Sequence, residues 1–399
     1  MISVREALSI LDKNVKSLPP KRLPLSEALG CVVAEDVFSP IDMPPFRQSA
    51  MDGYAIRMHS NAEYTVIAEV QAGSADLYEL KPGQAVRIFT GAAVPSTADC
   101  VQMQEKVTVL GNSVIRLDTN PVRGQNIRPQ GEQIKESNLA VASGMVLTPA
   151  GLSYLQGLGI QEVTVIAKPS VAIITTGDEL IAAGTSLQYG QIYESNDIAL
   201  RTLLQSWGIT QIANYKVEDS LHATVRVIKE SIKKHDVIVT TGGISVGDHD
   251  YIFEALQILG TETHFYKVKQ KPGKPIYYGQ LDGKEILALP GNPASALTCF
   301  YIYGRVLLQK VMRYTTDSLL PLAFRKLSHN FTLNATRDVF LKAQCTSTHV
   351  SILGAQSSAM LSSYVSSNCL VYLPEGQHTL PSEESISCFL LHTTFYDNC

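Results

Sequence analysis

The spacing of apolar positions changes character several times along this chain. Over MISVREALSILDKNV, Val4, Ala7, Leu8, Leu11 and Val15 recur at helical intervals, which predicts an amphipathic helix. Arg5, Glu6, Asp12 and Lys13 interrupt it, so it lacks the apolar stretch of a signal peptide. From about Tyr64 to Val141 the texture is that of strands. EYTVIAEV alternates, GQAVRIFTG is a short strand before a glycine turn, and VTVLGNSVIRL reads as a hairpin closed near Gly111 and Asn112. Thr148 and Pro149 then supply an N-cap and a first helical residue, with Gly159 as the stop.

Beyond the Lys-Pro pair at 168–169 the pattern changes again. SVAIITTGDEL and HDVIVTTGGISVGDHDY are β-branched runs that each end in a glycine loop, and ILALPGNPASAL reads as strand, turn and helix. NDIALRTLLQSWG and DSLHATVRVIKESIKKH read as helices, the first capped near Asn196 or Asp197, the second by Asp219 or Ser220. Strands alternating with helices imply βαβ units and a mostly parallel sheet. After about Ser318 short strands and turns return. The expected fold class is α/β and β multidomain: a central α/β domain, a β-rich insertion before it and a small all-β module at the end.

Composition sharpens this picture in a few places. A chain of 399 residues is too long for one ordinary core and predicts two to four domains of about 100–200 residues. With 45% hydrophobic and 18% charged residues the chain is globular, and no apolar run approaches the ~20 residues of a membrane helix. A net charge of −4 argues against a chain-wide surface for nucleic acid or anionic membrane. The seven cysteines are scattered and form no CxxC pair. Reduced thiols in a cytoplasm fit this usage better than a disulfide framework, and structural zinc is not expected.

Candidate chemistry gathers at the predicted strand ends. TTGDEL (175–180) and TTGGISVGDHDY (240–251) place glycines where backbone amides can approach an anion. Neither loop is a Walker A or GxGxxG sequence, which disfavours ordinary ATPases and dinucleotide enzymes. Asp178, Glu179, Asp219, Asp248 and Asp250 fall at the same rims. Acids beside a phosphate cradle call for a hard cation such as Mg²⁺ between them. In YKVKQKPGKP, Lys267, Lys269 and Lys271 alternate and so share one face of an extended segment, with Lys274 after a Pro-Gly turn. Asn292, Pro293 and Ser295 start a helix whose amides offer a second anion site. Asp52, in PPFRQSAMDGYAI, is accounted for by a turn alone, with Gly53 accepting φ > 0.

SAMDGYA, RIFTGAAVP, TTGDEL, GQIYESN, TTGGISVGDHDY, KPGKP and LPGNP all occur here. In that order, and over nearly the whole chain, they resemble the molybdopterin molybdenumtransferases, which include the catalytic E domain of gephyrin. The resemblance implies a homodimer of four-part subunits. Residues 1–40 with 137–166 form a helical and linker domain, and 41–136 a β-rich domain carrying SAMDGYA. The α/β molybdopterin-binding domain spans 167–317, and a β-barrel-like domain spans 318–399. It also implies a cytoplasmic enzyme that uses Mg²⁺, takes molybdate and adenylylated molybdopterin, and releases AMP. The family's cleft is shared between subunits. The pathway's adenylylating enzyme and acceptor molybdoenzymes are the further partners implied; nucleic acid and membrane are not.

Carried over residue by residue, the resemblance implies catalytic roles for Asp52, Thr90, Glu179, Asp219, Asp250, Lys267 and Lys271, with Glu179, Asp219 and Asp250 as metal ligands. Gly242, Gly243, Ser245, Gly247, Pro290 and Pro293 are implied on the molybdopterin side. Lys274, Ser295 and Ser363 match molybdate-binding positions, where ammonium and hydroxyl donors suit a dianion. Two positions depart from the family. Gln133 replaces an acid in RPQGEQI, and Lys342, implied on the cofactor-binding side, stands for an arginine, so it keeps the charge but should hold an oxyanion less tightly without the bidentate fork. The alternatives are a catalytically weak member acting as a molybdopterin-binding or scaffold protein, and an adenylylating nucleotidyltransferase, against which the β-rich N-terminal half argues.

Overall fold

The computed structural model describes residues 1–111, 113–244, 250–315 and 322–391. The chain divides into two compact units: Leu23–Leu29 with Glu35–Val163, and Met1–Arg22 with Gly30–Ala34 and Thr164–Cys399.

The alternating segment builds the unit around Glu35–Val163. Its six-stranded sheet runs Cys100–Met103, Gly53–Ile56, Gln84–Ile88, Glu63–Val70, Val114–Leu117 and Val107–Gly111. Neighbours are antiparallel except Gln84–Ile88 with Glu63–Val70. The expected hairpin is present, Ile115 facing Val109; its Asn112 lies outside the described residues. Alternation sends Ala55, Val86 and Val101 into one core and Ile56, Ala85 and Cys100 into another, so both faces of the sheet are covered. Thr148 caps the helix Pro149–Gly157 by accepting from the Gly151 amide, and Gly159 is left-handed at φ +82°.

Gly53 corrects an expectation. It opens a strand and supplies no left-handed turn residue. A Cβ there would stand 1.9 Å from the Gln102 carbonyl oxygen on the paired strand. Close approach of two backbones, and not φ > 0, requires glycine here.

In the second unit the N-terminal helix is Val4–Asn14, closed by a capping box between Ser3 and Glu6 and burying Val4, Ala7 and Leu11. The central sheet runs Ile212–Val217, Val171–Thr176, Val237–Thr241, Lys284–Leu289, Tyr277–Leu281 and Glu262–Tyr266. The first four strands are parallel and the last two antiparallel, the mostly parallel sheet expected. Val171–Thr176 and Val237–Thr241 are buried at every position, as parallel strands between helices must be. Helices Leu221–Ile232 and Tyr251–Ile258 pack Ile228, Ile252 and Leu256 onto Ile174, Ile238 and Ile286.

The C-terminal module is a closed five-stranded barrel of Leu322–Leu327, Asp338–Cys345, His349–Ile352, Cys369–Leu373 and Ser385–Leu390. It closes because Asp338–Cys345 pairs with both His349–Ile352 and Cys369–Leu373, which removes the exposed edges an open sheet would have. The short strand Gln270–Lys271 joins it beside Asp338 and Val339.

Candidate active site

The carboxyl ends of Val171–Thr176 and Val237–Thr241 border a cavity of about 400 Å³. Its wall depends on glycine. Gly242 has φ +88°, and a Cβ there would lie 2.7 Å from the Thr176 carbonyl oxygen. Gly243 has φ +59°, with Thr176 Oγ1 and Ile252 Cγ1 each 3.0 Å from a would-be Cβ. A Cβ on Gly291, from LPGNP, would sit 3.4 Å from Gly242 Cα. Three loops therefore meet backbone to backbone, which side chains would prevent. Pro290 and Pro293 line the same cavity.

Glu179, Asp219 and Asp250 also line it, so the structure brings these three expected acids together. Asp178 and Asp219 brace the two loops: Asp219 N donates to Asp178 Oδ1 at 3.1 Å, and Asp178 N to Asp219 Oδ2 at 3.3 Å. Asp250 occupies the N-cap position of Tyr251–Ile258. Among the described residues the three cavity acids do not form a set with all ligand atoms within 4.8 Å. Their carboxylate oxygens are hard donors of the kind that Mg²⁺ takes, one or two at a time, together with phosphate oxygens and water. Ser245, Gly247 and Asp248 lie outside the described residues.

Asn196 is a site residue that sequence reasoning took for a helix cap. It is the first residue of Asn196–Ser206 and 8% exposed. Its Nδ2 donates to Thr241 Oγ1 at 2.6 Å and to the Gly291 carbonyl at 2.9 Å, tying two strand-end loops together. The cap comes from Glu194, whose Oε1 accepts the Asn196 and Asp197 amides at 2.6 and 3.0 Å. The available signal was a surplus: ESND offers more polar groups than one cap needs. The second helix is capped by Ser220, leaving Asp219 to the cavity.

The lysine-rich segment differs from expectation. Lys267 is left-handed at φ +68°, which breaks the two-residue period at that residue, while Lys269 and Lys271 are exposed on either side of the buried Gln270. Lys267 places its ammonium 4.5 Å from the Tyr266 ring centroid, and Lys269 pairs with Glu375 at 2.5 Å. Lys271 borders a separate cavity of about 250 Å³ together with Arg337 and Gln356. Lys274 is exposed, next to Pro275 of the acid-lined cavity.

Ser295, Ser363 and Lys342 are buried. The Ser295 amide donates to the Ser358 carbonyl at 3.2 Å, and Asn292 Nδ2 to Ser358 Oγ at 3.1 Å. Ser363 Oγ bonds to the Ala355 and Met360 carbonyls. Lys342 turns its ammonium toward backbone carbonyls. Its ammonium donates to the carbonyls of Ala355, Ser357 and Met360 at 3.0, 3.2 and 3.1 Å. That uses all three donors of a lysine, and burial holds its pKa below the usual value.

In the other unit Asp52 and Thr90 meet directly. Thr90 N and Oγ1 both donate to Asp52 Oδ1, at 2.7 and 2.8 Å. The amide bond first, then the hydroxyl bond and the Arg87 charge, hold the Asp52 carboxyl below its ordinary range. Gln133 is exposed, its amide donating to the Met43 carbonyl at 2.9 Å.

Comparisons with known proteins agree with this architecture. Residues 2–159 match the family described as the MoeA N-terminal region (domain I and II), 172–310 a probable molybdopterin binding domain, and 325–391 the MoeA C-terminal region (domain IV). The chain is 33% identical over 399 residues to the molybdopterin molybdenumtransferase of Haemophilus influenzae, covering 97% of this chain and 98% of that one. To that of Staphylococcus aureus it is 32% identical over 403 residues, covering 98% and 95%. A solved structure of the molybdopterin biosynthesis MoeA protein from Pyrococcus horikosii superposes with a TM-score of 0.81 at 28% identity, covering 98% of this chain and 99% of that one. Among the described residues no helix is long and apolar enough to cross a membrane. With family regions matched in order and relatives matched end to end, the chain belongs to the molybdopterin molybdenumtransferases, transferases of molybdenum cofactor biosynthesis.

Proposed function

We propose that this chain inserts molybdate into adenylylated molybdopterin and releases AMP in a Mg²⁺-dependent reaction, acting as a cytoplasmic homodimer whose cleft is shared between subunits. The observation that carries the reading is the convergence of Glu179, Asp219 and Asp250 with the Gly242–Gly243 loop on one cavity at the parallel strand ends, where α/β sheets bind ligands. Glu179, Asp219 and Asp250 would hold Mg²⁺, which when bound neutralises phosphate charge and favours attack at phosphorus. The glycine loop cradles the phosphates through backbone amides. Asn196 keeps that loop and the LPGNP turn at a fixed separation. In the reaction the P–O bond to the AMP phosphorus breaks as an oxygen nucleophile bonds there. Asp52 of a second subunit orients that nucleophile or joins the metal's ligands, with Thr90 fixing its carboxylate. Lys274, Ser295 and Ser363 meet molybdate in this reading, Lys274 from an exposed position and the two serines from buried ones.

Purified protein incubated with adenylylated molybdopterin and Mg²⁺ is expected to release AMP when molybdate is added. Binding of the adenylylated pterin without molybdate-dependent AMP release would overturn the transferase reading and leave a binding or scaffold protein.

A further inference from the structure

Three cysteines far apart in sequence converge inside the C-terminal barrel. Cys345 ends Asp338–Cys345, Cys369 opens Cys369–Leu373, and Cys388 lies within Ser385–Leu390. Cys369–Leu373 pairs with both of the other strands, and the three Sγ atoms lie within 4.8 Å of one another. Cys369 and Cys388 are buried, while Cys345 is half-buried at a strand end. Hydrogen bonds fix the set in register. Asn368 Oδ1 accepts the Cys345 amide at 2.7 Å and Asn368 Nδ2 donates to the Cys345 carbonyl at 2.8 Å. Ser367 Oγ donates to the Ala343 and Cys369 carbonyls at 2.9 and 3.0 Å. Packing alone would be met by alanine or valine at these positions; three converging sulfurs are also a donor set.

We propose that Cys345, Cys369 and Cys388 form a binding site for a soft, thiophilic cation, with Cu(I) as the ion the donor set fits. Three sulfurs in a plane around a metal at about 2.3 Å lie about 4 Å apart, so the trio needs to contract by less than about 1 Å. Soft thiolates select Cu(I) or zinc, and structural zinc takes four ligands. Among the described residues no fourth His, Cys, Asp or Glu joins the three. Binding is a ligand exchange: each Cu–S bond forms as an S–H bond breaks and its proton passes to solvent, with no change of oxidation state.

The test titrates the reduced full chain anaerobically with Cu(I) against a chromogenic Cu(I) chelator of known affinity. The expected result is one Cu(I) per chain with a thiolate-to-copper charge-transfer band. Cys345→Ser, at the half-buried position, should weaken binding by more than the roughly 10–100-fold that loss of a residue behind a ligand costs. Cys31→Ser, in a different part of the chain, should bind as the wild type does. Melting curves of the metal-free variants show that each is folded, and Cys345→Ser keeps the test open if Cys369→Ala or Cys388→Ala does not fold. Equal uptake by wild type and Cys345→Ser, no uptake from the chelator, or a parallel titration in which Zn²⁺ displaces Cu(I) would overturn the proposal.

Discussion

Asp52 receives both Thr90 hydrogen bonds on a single oxygen, so its shape and its charge can be separated by experiment. An amide in place of the carboxylate would keep a carbonyl oxygen to accept both bonds. Asp52→Asn should therefore abolish most AMP release while thermal stability changes by no more than about 1 kcal/mol. Parallel losses of activity and melting temperature would return Asp52 to a structural role. Gly53→Ala should behave in the opposite way. Its methyl group would drive into the Gln102 carbonyl, an overpacking effect of about 1–3 kcal/mol, so stability measured in denaturant should fall and activity should fall with it. At this scale the sequence was readable in part. The acid and its glycine stood out within SAMDGYA, but the contact with Thr90, 38 residues on, forms only when two strands and a loop meet. The role of Gly53 was invisible for the same reason, since a neighbouring strand creates the need for it.

Periodic elements were the most legible feature, because local burial sets the repeat of a helix or strand. Val171–Thr176, Val237–Thr241 and Leu221–Ile232 appear where their patterns place them. The lysine segment was legible only in part: Lys269 and Lys271 alternate with buried residues, but one left-handed residue, Lys267, interrupts the extended run before them. Glu285 shows what a strand pattern hides. It sits 3% exposed in Lys284–Leu289 and accepts from Tyr278 Oη at 2.8 Å, Gln280 Nε2 at 2.8 Å and Lys16 N at 3.3 Å. Burial raises its pKa above the ordinary 4.5, against the pull of those hydrogen bonds. An acid with a raised folded-state pKa stabilises fully below its unfolded value, and that contribution is lost as pH rises through the folded value. The contribution of Glu285 to stability should therefore decline as the pH rises above about 4.5. Glu285→Gln should flatten that slope in melting curves taken across the range, and identical slopes would show that Glu285 does not titrate there.

For the whole molecule, the order of the β-rich part, the α/β domain and the barrel was legible because each has its own texture and turn chemistry. The cysteine trio was not, because only closure of the barrel joins positions 345, 369 and 388. The proposed shared cleft makes a prediction that a single subunit could not meet. Mixing Asp52→Asn subunits with Asp250→Asn subunits should restore part of the AMP release that each loses by itself. No recovery, with heterodimers demonstrated, would place both residues in one subunit's site. The segment from Ala355 to Met360 ties two ends of the second unit together. Lys342 and Ser363 hold its carbonyls, while Asn292, at the cavity wall, and Ser295, three residues on, hold Ser358. A ligand that steadied that wall would steady the segment too, which would link ligand affinity to the barrel's resistance to opening. Filling the cavity should therefore slow hydrogen exchange of the barrel amides, and exchange unchanged by ligand would show that the two are independent.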